Sequence, residues 1–99
     1  MKFTRVDSDG ETILQVEGVL DALTAPELRP IIEALVIERR PAVVVDLSAL
    51  RIIDSSGVGA IVGLFKRCKA HGGVVRVTGL KDQPLAVFRL LRLDRVLSP

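Results

Sequence analysis

Ala42-Val43-Val44-Val45-Asp46-Leu47, followed after five residues by Ile53-Asp54-Ser55-Ser56-Gly57-Val58-Gly59, is the stretch on which the architecture turns. Its opening run of β-branched side chains predicts a strand covered on both faces, because a strand with one solvated face would alternate with polar residues. Beyond it, Val58, Ile61, Val62, Phe65 and Cys68 recur at helical spacing. Lys66, Arg67 and Lys69 gather toward the end of that helix, where cations suit the backbone dipole, and Gly72-Gly73 stops it. Ser48 to Asp54, between strand and helix, is predicted to be loop.

Working toward the N-terminus, Phe3 to Val6 and Thr12 to Val16 alternate apolar and polar residues around Asp9-Gly10, which predicts a hairpin. A helix start is predicted at Thr24-Ala25-Pro26-Glu27: Thr24 is placed to cap, Glu27 to close a capping box, and Pro26 falls in the first turn, where its missing N–H is harmless. Leu28, Ile31, Ile32 and Leu35 supply the buried stripe. Pro30 lies where a backbone donor is normally used, so a bend or a late helix start is expected. Pro41 closes this helical segment.

Toward the C-terminus, Val74 to Val77 alternate as another strand, Asp82-Gln83-Pro84 opens a third helix carrying Leu85, Phe88 and Leu91, and Val96-Leu97 reads as a short last strand. Strands interleaved with amphipathic helices predict an α/β architecture, a mixed sheet with helices packed against it.

Composition bounds what such a module does. The 99 residues are 48 % apolar, enough to bury a core without disulfides or a metal. The lone cysteine, Cys68, has no partner for a disulfide or a zinc site and suits a reducing compartment, so the expected location is cytoplasmic. No apolar run reaches the length of a membrane span. The net charge of +2 is spread among acids, and the only aromatics are Phe3, Phe65 and Phe88, which argues against direct nucleic-acid binding.

Asp54-Ser55-Ser56-Gly57 lies where a buried strand gives way to a helix, so a hydroxyl is expected at the helix N-terminus. Ser and Asp are ordinary caps, and Gly57 and Gly59 let a helix start lie close to a sheet; that role alone would account for the segment. The same place also holds unpaired N–H groups and the positive end of the dipole, so a phosphate added to a hydroxyl there is held rather than repelled. A hydrolase triad is excluded if the helix forms: His71 would stand about 24 Å from Ser55 along it, and the nucleophile elbow G-x-S-x-G is absent. His71 is then a helix C-terminal residue and Cys68 a core residue. Gly57-Val58-Gly59-Ala60-Ile61-Val62-Gly63 misses the dinucleotide-binding spacing by one place.

Val44-Val45-Asp46-Leu47 with Ile53-Asp54-Ser55-Ser56-Gly57-Val58-Gly59 resembles the signature of the STAS domains of the anti-sigma-factor antagonists. In that signature a strand leads to an aspartate, a phosphoacceptor serine, a second hydroxyl residue and a glycine. The resemblance extends to Gly18-Val19-Leu20-Asp21 with Thr24-Ala25-Pro26, to Lys69-Ala70-His71-Gly72-Gly73, and to Val87-Phe88-Arg89-Leu90-Leu91. It implies the STAS fold, α/β with a mixed four- to five-stranded sheet and three to four helices, as a single domain over residues 1–99. Val19 stands where the family often has an acid, and Val58 where it often has leucine.

By this resemblance Ser55 is the expected phosphoacceptor, Asp54, Ser56 and Gly57 shape its loop, and Asp21 and Thr24 belong to the facing loop of the partner surface. The implied function is that of an anti-sigma factor antagonist, not an enzyme. The dephosphorylated form binds a GHKL-type serine kinase that doubles as an anti-sigma factor, and so frees a sigma factor. Phosphorylation ends the binding and a serine phosphatase restores it, with no cofactor or metal required of the chain itself. The alternative that the family offers is an adaptor or scaffold subunit, in a lipid ABC transporter or a stress-signalling particle, in which no kinase reads the serine.

Overall fold

The computed structural model describes residues 1–94, so the strand expected at Val96-Leu97 lies outside the described residues. Two strands, β1 (Lys2–Ser8) and β2 (Glu11–Leu20), form the antiparallel hairpin that Asp9-Gly10 predicts. Ser8 pairs with Glu11, and Gly10 takes a φ of +72°, a left-handed conformation that glycine adopts without strain. β3 (Ala42–Asp46) pairs in parallel with the first half of β2 and, on its other edge, with β5 (Val74–Thr78), which makes it the central strand expected of its β-branched run.

The expected loop at 48–54 is corrected: Leu50–Ile53 form β4, parallel to the end of β2 at Gly18–Leu20. A register shift between Gly18 and Val19, with Gly18 at φ +89°, bends β2 so that one long strand pairs with β3 along its first half and β4 along its last residues. Four residues carry too little periodicity to distinguish a strand from a loop. β4 is also completed in a way no sequence pattern announces. The Gln83 carboxamide accepts from the Ile53 N–H and donates to the Ile53 carbonyl, both at 2.9 Å, and so stands in for a neighbouring strand.

Helix α1 (Arg29–Ile37) begins late, as Pro30 predicts, and Pro30 sits in its first turn, where no donor is missed. Ala25–Leu28 forms a separate 3-10 turn ahead of it. The capping box expected of Thr24 and Glu27 is absent: Thr24 has helical backbone angles and makes no cap bond, because its hydroxyl is engaged in the preceding loop.

α2 (Ser55–Ala70) and α3 (Asp82–Leu90) complete the fold. Leu14, Val16, Val43, Val45, Val75 and Val77 from the sheet meet Leu35, Val58, Ile61, Leu64 and Phe88 from the helices in one buried cluster. Each such side chain contributes about 1.5–3 kcal/mol of apolar burial. α2 touches both the sheet and α1, so its buried stripe is broader than the sequence spacing marks; Leu64 joins it, while Val62 and Phe65 are partly covered. Leu91 does not extend the α3 stripe. The helix ends at Leu90, and Leu91 is half exposed.

At the hairpin end, Arg40 donates to the buried Thr12 hydroxyl at 2.8 Å, and Thr12 donates to Asp7 at 2.9 Å. Arg5 bridges Asp7 and Glu38, and its guanidinium holds both carboxyls below their ordinary range. This charged clasp ties β1 to the end of α1, far along β2 from its junction with β4.

Candidate functional site

The five residues from Ile53 to Gly57 turn β4 into α2. Asp54 is extended, with φ −115° and ψ −174°, and is the N-cap: one carboxylate oxygen accepts from the Gly57 N–H at 3.0 Å. Its other oxygen accepts from the Ala22 N–H at 3.2 Å, and its own N–H donates to the Leu20 carbonyl at 3.2 Å. One side chain therefore closes the helix start and ties the loop after β2 to it. With Asp54 as the cap, neither serine is needed for that purpose. Ser55 and Ser56 are the first two residues of α2, both exposed. Their backbone N–H groups lie in the first turn, which has no intrahelical acceptors.

Gly57 is the contact point. A Cβ built there would stand 2.6 Å from the Leu20 carbonyl oxygen and 2.7 Å from Ile53 Cγ1. The helix start rests directly on the end of β2, as the glycine-rich sequence predicts at this position. Gly59 does not share the role, for its missing Cβ would meet nothing within 4 Å.

Asp21 and Thr24 face Asp54 across Ala22 and are spent inside their own loop. Asp21 Oδ1 accepts from the Leu23 and Thr24 N–H groups at 3.0 and 3.1 Å. The Thr24 hydroxyl donates to the Val19 carbonyl at 2.9 Å and accepts from the Asp21 N–H at 2.9 Å. The effect is to hold Leu23 outward on a pinned turn, 86 % exposed. All six residues marked in the sequence thus converge on one surface, with Ser55 exposed and Asp21, Thr24, Asp54 and Gly57 setting the backbone around it.

Beside Ser56 opens a groove of about 430 Å³ between α1 and α2, lined by Gly59, Ala60 and Gly63 and by the charged Arg29, Glu33 and Arg67. Arg67 and Glu33 form a two-pronged ion pair across it, and the guanidinium holds the Glu33 carboxyl low. Neither the groove nor Leu23 is marked by a motif. The exposed leucine could have been noticed only as a large apolar residue in the short turn between Asp21 and Thr24.

Asp54→Ala should lower stability by about 1–2 kcal/mol, the usual cost of losing a cap, and also free the Ala22 turn. Urea melts would show the loss, and amide exchange should speed up at both Gly57 and Ala22. Faster exchange at Gly57 alone would show that the tether is unimportant.

Ser55 has no imidazole beside it. His71 caps the opposite end of the helix that Ser55 begins, sixteen residues away, and no cluster of metal-ligating side chains exists among the described residues. A pinned loop, an exposed serine and a tightly seated helix start together form one fixed surface at this end of the sheet.

The chain belongs to the STAS domain family, whose model matches residues 2–99. It is 28 % identical over 83 residues to the anti-sigma-B factor antagonist of Listeria monocytogenes, covering 84 % of this chain and 73 % of that one. The antagonist of the same name from Bacillus subtilis is 26 % identical over 91 residues, covering 92 % and 83 %. Among solved structures, an anti-sigma factor antagonist from Mycobacterium paratuberculosis superposes with a TM-score of 0.87 at 28 % identity, covering 98 % of this chain and 82 % of that one. The five-stranded mixed sheet with three helices is the fold that the sequence resemblance implied.

Proposed function

We propose that this protein is an anti-sigma factor antagonist acting in the cytoplasm as one STAS domain, switched by phosphorylation of Ser55. Unphosphorylated, it binds a GHKL-type serine kinase that holds a sigma factor, and the sigma factor is released. The kinase then moves the γ-phosphoryl group of ATP to the Ser55 hydroxyl oxygen, leaving ADP and a proton. A serine phosphatase hydrolyses the ester and restores binding.

One observation carries this reading: Asp54 supplies the cap, so Ser55 stands exposed at the head of α2 without a structural task. The helix N-terminus accommodates a phosphate there without unfolding, and the family relatives named above are antagonists. Asp21, Thr24, Asp54 and Gly57 act by fixing the backbone on which Ser55 and Ser56 are presented.

Intact mass after incubation with ATP and the GHKL-type serine kinase of the same organism tests the assignment. The expected result is a gain of one phosphate in the wild type and in Ser56→Ala, and none in Ser55→Ala. No gain in the wild type would point to the adaptor or scaffold role instead.

A further inference from the structure

Gln83 gives both ends of its carboxamide to the backbone of one residue. The oxygen accepts from the Ile53 N–H and the nitrogen donates to the Ile53 carbonyl, both at 2.9 Å. Ile53 does not need these bonds to stay against β2, since it pairs with Leu20 and its side chain is buried. They fix an orientation instead, that of the peptide joining Ile53 to Asp54. The C=O of this peptide is held by Gln83 on one side, and its N–H donates to the Leu20 carbonyl at 3.2 Å on the other. A planar group gripped at both ends cannot turn without breaking a bond, so the backbone angles on either side of it are set together. From there the Asp54 carboxylate reaches the Gly57 and Ala22 N–H groups, and Ser55 follows as the first residue of α2. Gln83 stands at the head of a chain of bonds that ends at the serine.

The start of α3 is strained where it makes this reach. Asp82 takes a φ of +52°, in the left-handed region that a residue with a side chain keeps only where its surroundings dictate it. Lys81 before it makes no side-chain cap bond, and the first backbone bond of the helix, from the Leu85 N–H to the Lys81 carbonyl, is long at 3.3 Å. Pro84, the residue after Gln83, is buried and anchors the turn. A poor helix start is thus retained at the point where Gln83 turns toward β4.

Building on the functional reading above, we propose that Gln83 is a positioning residue for phosphoryl transfer to Ser55. Its carboxamide is taken up by Ile53, so it acts through the Ile53–Asp54 peptide and the cap that follows. That peptide sets where the head of α2, and with it the Ser55 hydroxyl, stands when a kinase brings up the γ-phosphate of ATP. In-line transfer depends on such placement, and a displacement of about 1 Å costs up to about a hundredfold in rate.

Gln83→Glu tests this with the fold kept. The carboxylate still accepts from the Ile53 N–H and suits the first turn of α3, but it cannot donate to the Ile53 carbonyl, so the peptide is gripped on one side only. Steady-state phosphorylation by the purified GHKL-type serine kinase of the same organism, well below the Tm of each form, should show kcat lowered about tenfold and KM within about twofold of the wild type. Gln83→Leu, which makes neither bond, should lower kcat at least as much; should it fold poorly, Gln83→Glu carries the test. Thr12→Val is the control for a general loss of stability. It removes a buried hydroxyl bonded to Asp7 and Arg40 at the far end of β2, and should lower Tm while leaving both constants unchanged. If Gln83→Glu keeps the wild-type kcat, or if Thr12→Val slows transfer equally, Gln83 serves the fold alone and the proposal falls while the switch stands. A wild type that gains no phosphate overturns the functional reading and this inference with it.

Discussion

Gly57→Ala should destabilise the protein by about 3 kcal/mol, at the upper end of what overpacking a well-packed site costs. One methyl group has this effect because two of its neighbours cannot yield. At 2.6 Å it would meet the Leu20 carbonyl oxygen, which belongs to the last residue of β2, and at 2.7 Å the buried Ile53 side chain. Relief requires α2 to lift away from the sheet, which loosens the contacts of Val58 and Ile61 below it. For a chain of this size the loss corresponds to a fall in Tm of about 12 °C or more. Calorimetry on the purified variant gives the answer, and a melting point within 2–3 °C of the wild type, roughly the effect of an ordinary surface change, would show that the helix start is not seated as described. Gly59→Ala is the control and should be neutral or stabilising, since its added methyl meets only open space.

The second large effect separates stability from binding. Ser55→Asp should leave the fold as stable as the wild type or slightly more so, because a carboxylate in the first turn of α2 interacts favourably with the helix dipole, by about 0.3–1 kcal/mol. If Ser55 lies within the surface that the proposed anti-sigma kinase covers, binding should weaken by about 3 kcal/mol, more than a hundredfold in Kd, because an unmatched charge is then desolvated. Phosphorylated Ser55 should act in the same direction and more strongly, since the group approaches two negative charges at neutral pH. Ser55→Ala should bind as the unmodified protein does. Calorimetry with these three forms decides the matter: equal binding of Ser55→Asp and Ser55→Ala would remove charge repulsion as the basis of the switch.

Most of the architecture was legible because it follows from short-range chemistry. The hairpin at Asp9-Gly10 needs only its turn residues and the alternation around them, and the late start of α1 follows from Pro30. The central strand announces itself in Val43, Val44 and Val45, which are buried as a strand covered on both sides requires. What the sequence hid depends on distant partners. Thr24 looks like a helix cap, yet Asp21 and Val19 capture its hydroxyl first, and α1 starts without it. β4 escaped because its four residues are completed by Gln83, thirty positions away, through a side chain. At the site, Asp54 and the two serines were recognisable as a group, but which of them caps is decided by the Gly57 and Ala22 N–H groups that meet in space. The groove has no signature at all, since it is a space between two helices.

The Gln83 pairing has a consequence in time. Most of a sheet opens only when several strands part together, at close to the full cost of unfolding. Ile53 is different, for the two bonds on its outer side are held by α3, a short helix packed against β4. Lifting α3 alone would break both of these bonds, while the pairing with Leu20 and the buried side chain still hold Ile53, two places before Ser55, to β2. Amide exchange at Ile53 should therefore follow the undocking of one helix, and be faster than at Val44 in the central strand.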